Sequence, residues 1–326
     1  MKQYVFFAPH EKYLDIGYGD ITSRPDVLYQ TDYLYHPTKI RRLLNLAHYH
    51  SFLARHFDLP FKHIWFHQYY PFKYVNNTDY VFIFFYRWHL IFFSGYIDYL
   101  RKNYPGCKCI LYLGDINLAK KLDIPRAKNL FDHIMVFERN FAIEHGIEYY
   151  PLVYGAKYSS GENPRTIDLL FVGRAKKRFE LIKGIFKKMA PLGLNCQFYV
   201  SGIDQPCEDL GPGFHVMKSF FPYDETVKLL KQSKCVLDII PENVDCNTLR
   251  VSEAIAYDIR ILTNNANIVH EDFYNPSLIS TYSNPDDIDI SFLKQKYQHV
   301  DYHYRDKISG EAFLKHLDDT LFGKQV

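Results

Sequence analysis

The chain has 326 residues, of which 47% are hydrophobic and 23% are charged. This length exceeds what one hydrophobic core usually supports, so we expect two domains, and the composition excludes a largely disordered chain. The formal net charge is only +2, which argues against the dense basic surface of a protein that binds duplex nucleic acid.

Four short runs rich in aromatic and aliphatic residues predict strands in the first half of the chain: Tyr4–Ala8, Tyr80–Phe85, Lys108–Gly114 and Ile134–Phe137. Helices are predicted at Pro37–Phe57 and at Ser94–Asn103, the second of which ends before a proline and a glycine. This alternation of strands and helices predicts the α/β class, with a parallel sheet and crossover helices.

The start of the chain lacks the long apolar region of a secretory signal peptide, which predicts a cytoplasmic protein. The most apolar stretch, Val81–Phe93, contains charged and polar residues and is too short to span a bilayer. The cysteines are scattered without zinc-ligand spacing, which predicts reduced thiols and no metal site. A basic excess in the first half suits an anionic lipid-linked acceptor or peripheral contact with the inner face of the plasma membrane.

The segment Tyr154–Thr166 is rich in Gly, Ser, Asn and Pro, and it predicts an interdomain linker. We therefore expect a first domain over residues 1–155 and a second over residues 156–326. Apolar residues at every fourth position near the chain end predict a final amphipathic helix. In the second half, the predicted strands and basic helix are Ile167–Val172, Cys196–Val200, Cys235–Ile240 and Lys176–Met189.

Residues that follow these strands are the candidate ligand site, because doubly wound sheets bind ligands at the carboxyl ends of their strands. Gly173, Arg174 and Lys177 follow the first strand, where a glycine lets the backbone approach a phosphate and basic groups neutralise it. A tight turn before a solvated basic helix is the alternative interpretation. Ser201 and Gly202 form a second turn of this kind.

The most informative segment follows the strand Cys235–Ile240. If Asn247 or Thr248 caps the next helix, Arg250 lies in its first turn and Glu253 near the second. A carboxylate can accept hydrogen bonds from two ribose hydroxyls, while capped amides and an arginine can neutralise a diphosphate. The segment therefore predicts recognition of a nucleotide.

The first half contains candidates for a catalytic base that would deprotonate an acceptor hydroxyl. Asp20 follows a Gly-Tyr-Gly run, and Asp115 follows a predicted strand. His67 and His89 are further candidates. For each of these residues, a structural polar group with satisfied hydrogen bonds is the alternative.

Three residues are candidates for acceptor binding. Arg87 and Trp88 combine a cation with an aromatic ring that can stack on a sugar, and Tyr18 lies beside Asp20. Anchoring at a membrane and simple packing at a strand end are the alternatives for the Arg-Trp pair.

Several short motifs within residues 95–280 resemble bacterial glycosyltransferases of capsular and lipopolysaccharide biosynthesis. The resemblance implies the GT-B fold, with two Rossmann-like doubly wound lobes that face a central cleft and a last helix that packs back on the first lobe. The motifs are Leu100–Pro105, Leu111–Asp115, Phe131–Phe137, Tyr150–Leu152, Asp238-Ile239, Asn247-Thr248-Leu249-Arg250, Glu253-Ala254, Ile261–Asn265 and Asp272–Pro276.

By this resemblance, Glu253 corresponds to the second glutamate of a pair spaced eight positions apart on the donor side, and it is a candidate catalytic residue together with Asp20 and Asp115. Asp245 occupies the first position, and Cys246 and Asn247 stand where the family usually has Gly or Gln. The loop is therefore expected to fit a different donor. The implied donor-binding residues in this segment are Asp245, Asn247, Thr248, Leu249, Arg250 and Glu253.

We accordingly expect a metal-independent glycosyltransferase with no cofactor, in which basic residues replace a divalent ion. The donor is a nucleotide sugar, with UDP sugars favoured, and the acceptor is a glycan or lipid-linked molecule of surface polysaccharide synthesis. Two alternatives stay open. One is a nucleotide-sugar epimerase, which needs no acceptor, and the other is a catalytically silent GT-B-like partner that scaffolds a glycan-assembly complex.

Overall fold

The computed structural model of the chain divides into two compact units. The first comprises Met1–Asp15, Ile21–Pro151 and Leu317–Val326, and the second comprises Ile16–Asp20 and Leu152–His316. The predicted helix Pro37–Phe57 and the middle of the predicted linker lie largely outside the described residues. Those are 1–30, 43, 47–49, 60–156, 164–203, 208–241, 244–298 and 300–323.

The first unit contains, among its described residues, a parallel six-stranded sheet with the strand order β2-β1-β3-β4-β5-β6. All four strands predicted in this half are present. The strands are β1 (Lys2–Phe7), β2 (Val27–Gln30), β3 (Asp79–Phe85), β4 (Lys108–Leu113), β5 (His133–Val136) and β6 (Glu148–Tyr149).

Short helices connect these strands. The helix predicted from Ser94 instead begins at Ile97, because Gly95 has a φ of 93° and interrupts the helical backbone within a π-helical turn. The described helices are α1 (Lys12–Gly17), α2 (Phe66–Tyr69), α3 (His89–Ile91), α4 (Ile97–Asn103), α5 (Ile116–Ala119), α6 (Ile124–Leu130) and α7 (Arg139–His145).

Aromatic side chains fill the core of the first unit. The Phe7 ring stacks on Phe84 at a centroid distance of 4.6 Å and meets the Trp88 ring edge-on at the same distance. Tyr69 and Tyr96 pack edge-on against each other at 5.4 Å in the same cluster. Much of the aromatic content of this half is therefore used in packing.

The second unit contains another parallel six-stranded sheet among its described residues, with the order β12-β11-β10-β7-β8-β9. Its strands are β7 (Leu169–Arg174), β8 (Cys196–Ser201), β9 (Phe214–Met217), β10 (Cys235–Asp238), β11 (Arg260–Thr263) and β12 (Ile279–Thr281). Its helices are α8 (Phe179–Met189), α9 (Tyr223–Lys231), α10 (Leu249–Ala256), α11 (Ile290–Lys294) and the first part of α12 (Gly310–Phe322).

Both faces of this second sheet are covered, as a doubly wound sheet requires. Leu169 on β7 packs on one side in a cluster with Ile182 and other residues of α8. The next residue, Leu170, packs on the other side with Val251 and other residues of α10. This alternation places α8 and α10 on opposite faces of the sheet.

Helix α12 is shared by the two units, since Gly310–His316 belong to the second and Leu317–Phe322 to the first. Within the first unit, Asp318 on this helix accepts a 2.6 Å hydrogen bond from the Tyr4 hydroxyl and lies 2.9 Å from the Lys2 ammonium group. The far end of the sequence thus secures β1. Over the part of the chain that the structure describes, no helix has the length and apolar composition needed to cross a bilayer.

Candidate functional site

The topology of the second sheet defines where a ligand would bind. From β7 the chain proceeds outward through β8 and β9, and it then returns to the other side of β7 as β10. Open α/β sheets bind ligands at the carboxyl ends of the strands where the order reverses in this way. The carboxyl ends of β7 and β10 carry Arg174 and Asp238, two residues of the segments highlighted in the sequence.

Asp238 joins three elements at this edge of the sheet. Its carboxylate accepts a 2.6 Å hydrogen bond from the Thr248 hydroxyl and a 2.8 Å hydrogen bond from the Thr263 hydroxyl. Burial raises the pKa of Asp238, while the two hydroxyls and the guanidinium groups of Arg250 and Arg178 act in the opposite direction. The carboxylate therefore fixes the start of α10 relative to β10 and β11.

Thr248 is the N-cap of α10. Its hydroxyl oxygen accepts a hydrogen bond from the Arg250 backbone N–H at 3.1 Å while its hydroxyl proton is donated to Asp238. The preceding Asn247 is buried, and its Oδ1 has no hydrogen-bond partner among the described residues. This helix terminus is held rigidly and presents the positive end of the helix dipole.

Arg250 is bound on two sides. Its Nη2 donates a 3.0 Å hydrogen bond to the Val172 carbonyl near the end of β7, and its Nη1 lies 2.5 Å from Oε2 of Glu253. Glu253 is 0% exposed and accepts a second hydrogen bond from the Tyr223 hydroxyl. Burial raises the pKa of Glu253, and the Arg250 charge lowers it. The ion pair with Glu253 and the hydrogen bond to Val172 thus fix the Arg250 side chain at the end of β7.

The full burial of Glu253 changes the role expected from the sequence. A carboxylate without exposed surface has no face on which to accept hydrogen bonds from ribose hydroxyls. Instead it orients Arg250 and lies at the end of a row of hydrogen-bonded tyrosine hydroxyls. The hydroxyl oxygens of Tyr223 and Tyr154 lie 2.9 Å apart, and those of Tyr154 and Tyr257 lie 3.1 Å apart. The sequence did not single out these tyrosines, because they come from three distant segments.

Basic groups surround the carboxyl end of β7. Arg178 donates to the carbonyls of Ile239 and Arg174, so it ties β7 to β10, and burial lowers its pKa. Arg174 is exposed, and its guanidinium lies 5.0 Å from the centre of the Phe220 ring. Arg174 lies on the same face of the sheet as Leu170, which is the face that α10 covers. Lys177 is also exposed.

The two predicted glycine turns lie side by side. The Ala175 N–H donates a 2.8 Å hydrogen bond to the carbonyl of Ser201, which is itself buried. Gly202 has a φ of 67°, and a Cβ there would lie 3.2 Å from Nε of Arg174. Gly173 packs over the Phe171 ring, where a Cβ would lie at 3.2 Å. Gly202 therefore allows the Arg174 side chain to pack closely on the second turn, and Gly173 allows the Phe171 ring to pack on the first.

The other residues predicted to bind the donor lie near this edge in different environments. Leu249 packs against the apolar cluster under α10. Asp245 is partly buried in the loop that precedes the helix.

Asp20 and Tyr18 occupy positions that differ from their predicted roles. Asp20 belongs to the second unit and accepts a 3.2 Å hydrogen bond from the Glu311 N–H at the start of α12. A Cβ on Gly155 would lie 2.1 Å from the Asp20 carboxylate, so the carboxylate is packed directly on that backbone. Tyr18 is buried, with its ring 6.1 Å from the Phe313 ring. Both side chains support α12.

Trp88 lies in the aromatic core of the first unit, where no acceptor can stack on its ring. Aromatic packing and sugar stacking use the same residue types, which is why the sequence alone pointed to an acceptor. The neighbouring Arg87 remains partly exposed and forms a 2.6 Å ion pair with Glu11.

The Arg87–Glu11 pair marks the point where the strand order of the first sheet reverses, at the carboxyl ends of β1 and β3. Burial raises the pKa of Tyr13 to about 12, with Glu11 and Asp115 adding to the rise and Arg87 opposing it. Asp115 is exposed and caps α5 through a 2.8 Å hydrogen bond from the Asn117 N–H. Glu11 and Tyr13 were not recognised in the sequence.

No protein-family model matches the chain, and no curated protein matches it in sequence. Solved structures do match. Unliganded OtsA has a TM-score of 0.57 at 12% identity, with 100% of this chain and 99% of that chain covered. A structure described as trehalose-6-phosphate from E. coli bound with UDP-2-fluoro glucose has a TM-score of 0.56 at 13% identity, with both chains covered in full.

A trehalose-6-phosphate synthase studied with bisubstrate glycomimetics, in work on glycosyltransfer with retention, has a TM-score of 0.58 at 12% identity and 99% coverage of each chain. The chain has the GT-B fold. The predicted α/β class with two Rossmann-like units is thereby confirmed. At these identities the likeness extends to the GT-B architecture and no further.

Proposed function

We propose that this protein is a glycosyltransferase that takes a sugar from a nucleotide carrier, with UDP sugars favoured. The observation that carries the proposal is Arg250, which the buried Glu253 and the Val172 carbonyl hold at the end of β7 and the start of α10. The similarity to a GT-B structure bound with UDP-2-fluoro glucose supports a uridine carrier.

The chemistry of this edge suits a diphosphate leaving group. The N-terminus of α10 supplies positive potential, Arg174 supplies an exposed positive charge, and Arg250 supplies a guanidinium that its pairing with Glu253 orients. As the sugar–phosphate bond breaks, negative charge develops on the diphosphate, and positive groups held in place stabilise it without having to reorganise. We propose that these groups replace a divalent metal ion.

We propose that the acceptor binds at the carboxyl edge of the first sheet, near Arg87 and Asp115. Arg87 is oriented by Glu11 and keeps an exposed guanidinium, which suits an acceptor that carries a phosphate. A lipid-linked intermediate of surface polysaccharide synthesis has this character, and a glycan is the other acceptor that we propose. Asp115 is exposed at the same edge and is the proposed base.

An exposed apolar and basic segment of the first unit supports peripheral membrane contact. Phe61 and Phe72 are 66% and 55% exposed. Lys62 and Lys73 adjoin them, and no carboxylate occurs between Asp58 and Asp79. Aromatic rings that enter the headgroup region, next to lysines that attract anionic lipids, are the usual elements of such a contact.

The nucleotide preference can be tested by a thermal-shift screen with UDP, GDP, dTDP and CMP, each with and without EDTA. UDP is expected to raise the melting temperature most, because a ligand that binds only the folded state stabilises it, and EDTA is expected to leave the shift unchanged. A shift that disappears with EDTA would contradict metal independence. Transfer from UDP-glucose to added acceptors then separates an active transferase from an epimerase or a silent partner.

Membrane contact can be tested by sedimentation with phosphatidylglycerol vesicles and phosphatidylcholine vesicles. We expect binding to the anionic vesicles alone, and we expect Phe61→Ser and Phe72→Ser each to weaken it about tenfold or more, since burial of a Phe side chain contributes about 1.5–3 kcal/mol. Ile143→Ser is the matched control, because Ile143 is 79% exposed on α7, outside this segment. Equal losses in all three variants would refute a contact through residues 61–75.

A further inference from the structure

The second unit has a cavity at the edge of its sheet that lies opposite Asp238 and the start of α10. Its volume is about 560 Å³. Arg260, the first residue of β11, borders it, as do Ser277 just before β12 and the loop that follows α11. The cavity therefore lies at the amino ends of β11 and β12, whereas the proposed donor site lies at the carboxyl ends of β7 and β10.

Arg260 is a buried cation beside this cavity, with 4% of its surface exposed. Its Nη1 donates to the carbonyl of Phe292 at 2.6 Å, and Gln295 receives two longer contacts, 3.5 Å to its Oε1 and 3.4 Å to its carbonyl. All of these acceptors are neutral. Among the described residues, no carboxylate lies within ion-pair distance of Arg260, and its Nε has no hydrogen-bond partner.

This arrangement is unusual because a guanidinium has five N–H donors and its burial is costly unless an anion is paired with it. The contacts above satisfy only part of the donor set. Arg260 also borders a space large enough for a small molecule. Its positive charge therefore favours an oxyanion in the cavity.

With Arg260 included, the described lining has two cations and one carboxylate, and it is rich in hydrogen-bonding groups. Lys296 is the second cation, and the carboxylate of Asp301 lies 3.1 Å from Nδ1 of His303. Asn275 and Gln298 add side-chain amides. Amides and hydroxyls both donate and accept hydrogen bonds, as the hydroxyl groups of a sugar require.

We propose that this cavity is a binding site for a small anionic sugar, either a sugar phosphate or a sugar acid. The anionic group is placed at Arg260 and Lys296, and the hydroxyl groups face Asn275, Ser277 and Gln298. The site is separate from the proposed donor site and does not depend on the proposed transferase activity.

The test is isothermal titration calorimetry of the full chain with glucose 6-phosphate, glucuronate, glucose and inorganic phosphate. Glucose 6-phosphate or glucuronate is expected to bind, and which of the two binds more tightly identifies the anionic group. Glucose and inorganic phosphate are expected to bind at least tenfold more weakly, because glucose lacks the anionic group and phosphate lacks the sugar hydroxyls. Arg260→Gln and Lys296→Glu are each expected to weaken the anionic sugar at least tenfold.

Lys188→Glu is the matched control, since Lys188 is a surface lysine on α8 of the same unit. It is expected to leave the titration unchanged, and UDP binding is expected to stay intact in Lys296→Glu. Lys296 is exposed, so this variant tests the site even if Arg260→Gln fails to fold. The proposal is overturned if neither anionic sugar binds, if glucose or phosphate binds as tightly, or if Lys296→Glu has no more effect than Lys188→Glu.

Discussion

Glu253→Ala is expected to lower the free energy of unfolding by about 3–5 kcal/mol, the usual result of removing one partner of a buried ion pair. The Arg250 side chain is only 15% exposed, so its charge would remain in a poorly hydrated position. The Tyr223 hydroxyl would lose its carboxylate acceptor as well. Urea denaturation measures the stability loss, and calorimetry with UDP at low temperature measures the accompanying loss of binding.

Two further variants separate the contributions within this cluster. Tyr223→Phe removes one hydroxyl and is expected to cost about 1 kcal/mol, as for a typical hydrogen bond. The double variant Arg250→Ala with Glu253→Ala is expected to lose less free energy of unfolding than the two single variants lose together, because no unpaired charge remains. If Glu253→Ala unfolds at the wild-type urea concentration, the ion pair does not hold α10 against β7.

Gly213→Ala is expected to be the other severe change. It is expected to lower the free energy of unfolding by about 2–6 kcal/mol, through backbone strain and steric overlap together. Gly213 has a φ of 96°, and a methyl group there would lie 2.2 Å from the backbone carbonyl oxygen of Cys196. The Gly213 carbonyl also accepts a 2.7 Å hydrogen bond from the Phe198 N–H, so the backbone cannot retreat without separating β9 from β8.

Two glycines of the same unit are matched controls for Gly213. Gly211 has a φ of 89°, and a methyl group there would meet no atom within 4 Å, so Gly211→Ala isolates the backbone strain and is expected to cost about 1–2 kcal/mol. Gly184 lies in α8 with open space around it, and Gly184→Ala is expected to stabilise the unit by about 0.5–1 kcal/mol. Equal losses in Gly213→Ala and Gly211→Ala would show that the Cys196 carbonyl is not a barrier.

The central strands could be predicted from the sequence because each is a continuous buried apolar run. Tyr80–Phe85 and Cys235–Ile240 have this pattern, and the structure has β3 and β10 there. The edge strands lack it. β9 has one buried residue among its four, and β12 has three residues. Runs this short do not differ from loop segments until the neighbouring strand is known.

The residues of the candidate site likewise fall into those that a local sequence pattern indicates and those that it does not. The capping pattern at Thr248 is local, so the sequence could place Arg250 and Glu253 on the first turns of one helix. Arg178 follows Arg174 by four positions and belongs to the basic segment that the sequence indicated. Tyr223 reaches the same edge from a segment that no local pattern links to it. Asp20 binds the start of α12 across 291 positions of sequence, and that contact could not be inferred from its neighbours.

The bond between Tyr4 and Asp318 has a consequence for how the protein is made. The two residues are 314 positions apart, and both belong to the first unit. At a synthesis rate of about 5–20 residues per second, β1 leaves the ribosome roughly 15–60 s before Asp318. During that interval the first unit has an opening strand that its last helix has not yet secured. The second unit extends to His316, two positions before Asp318, so both units receive their last residues almost together at the end of synthesis.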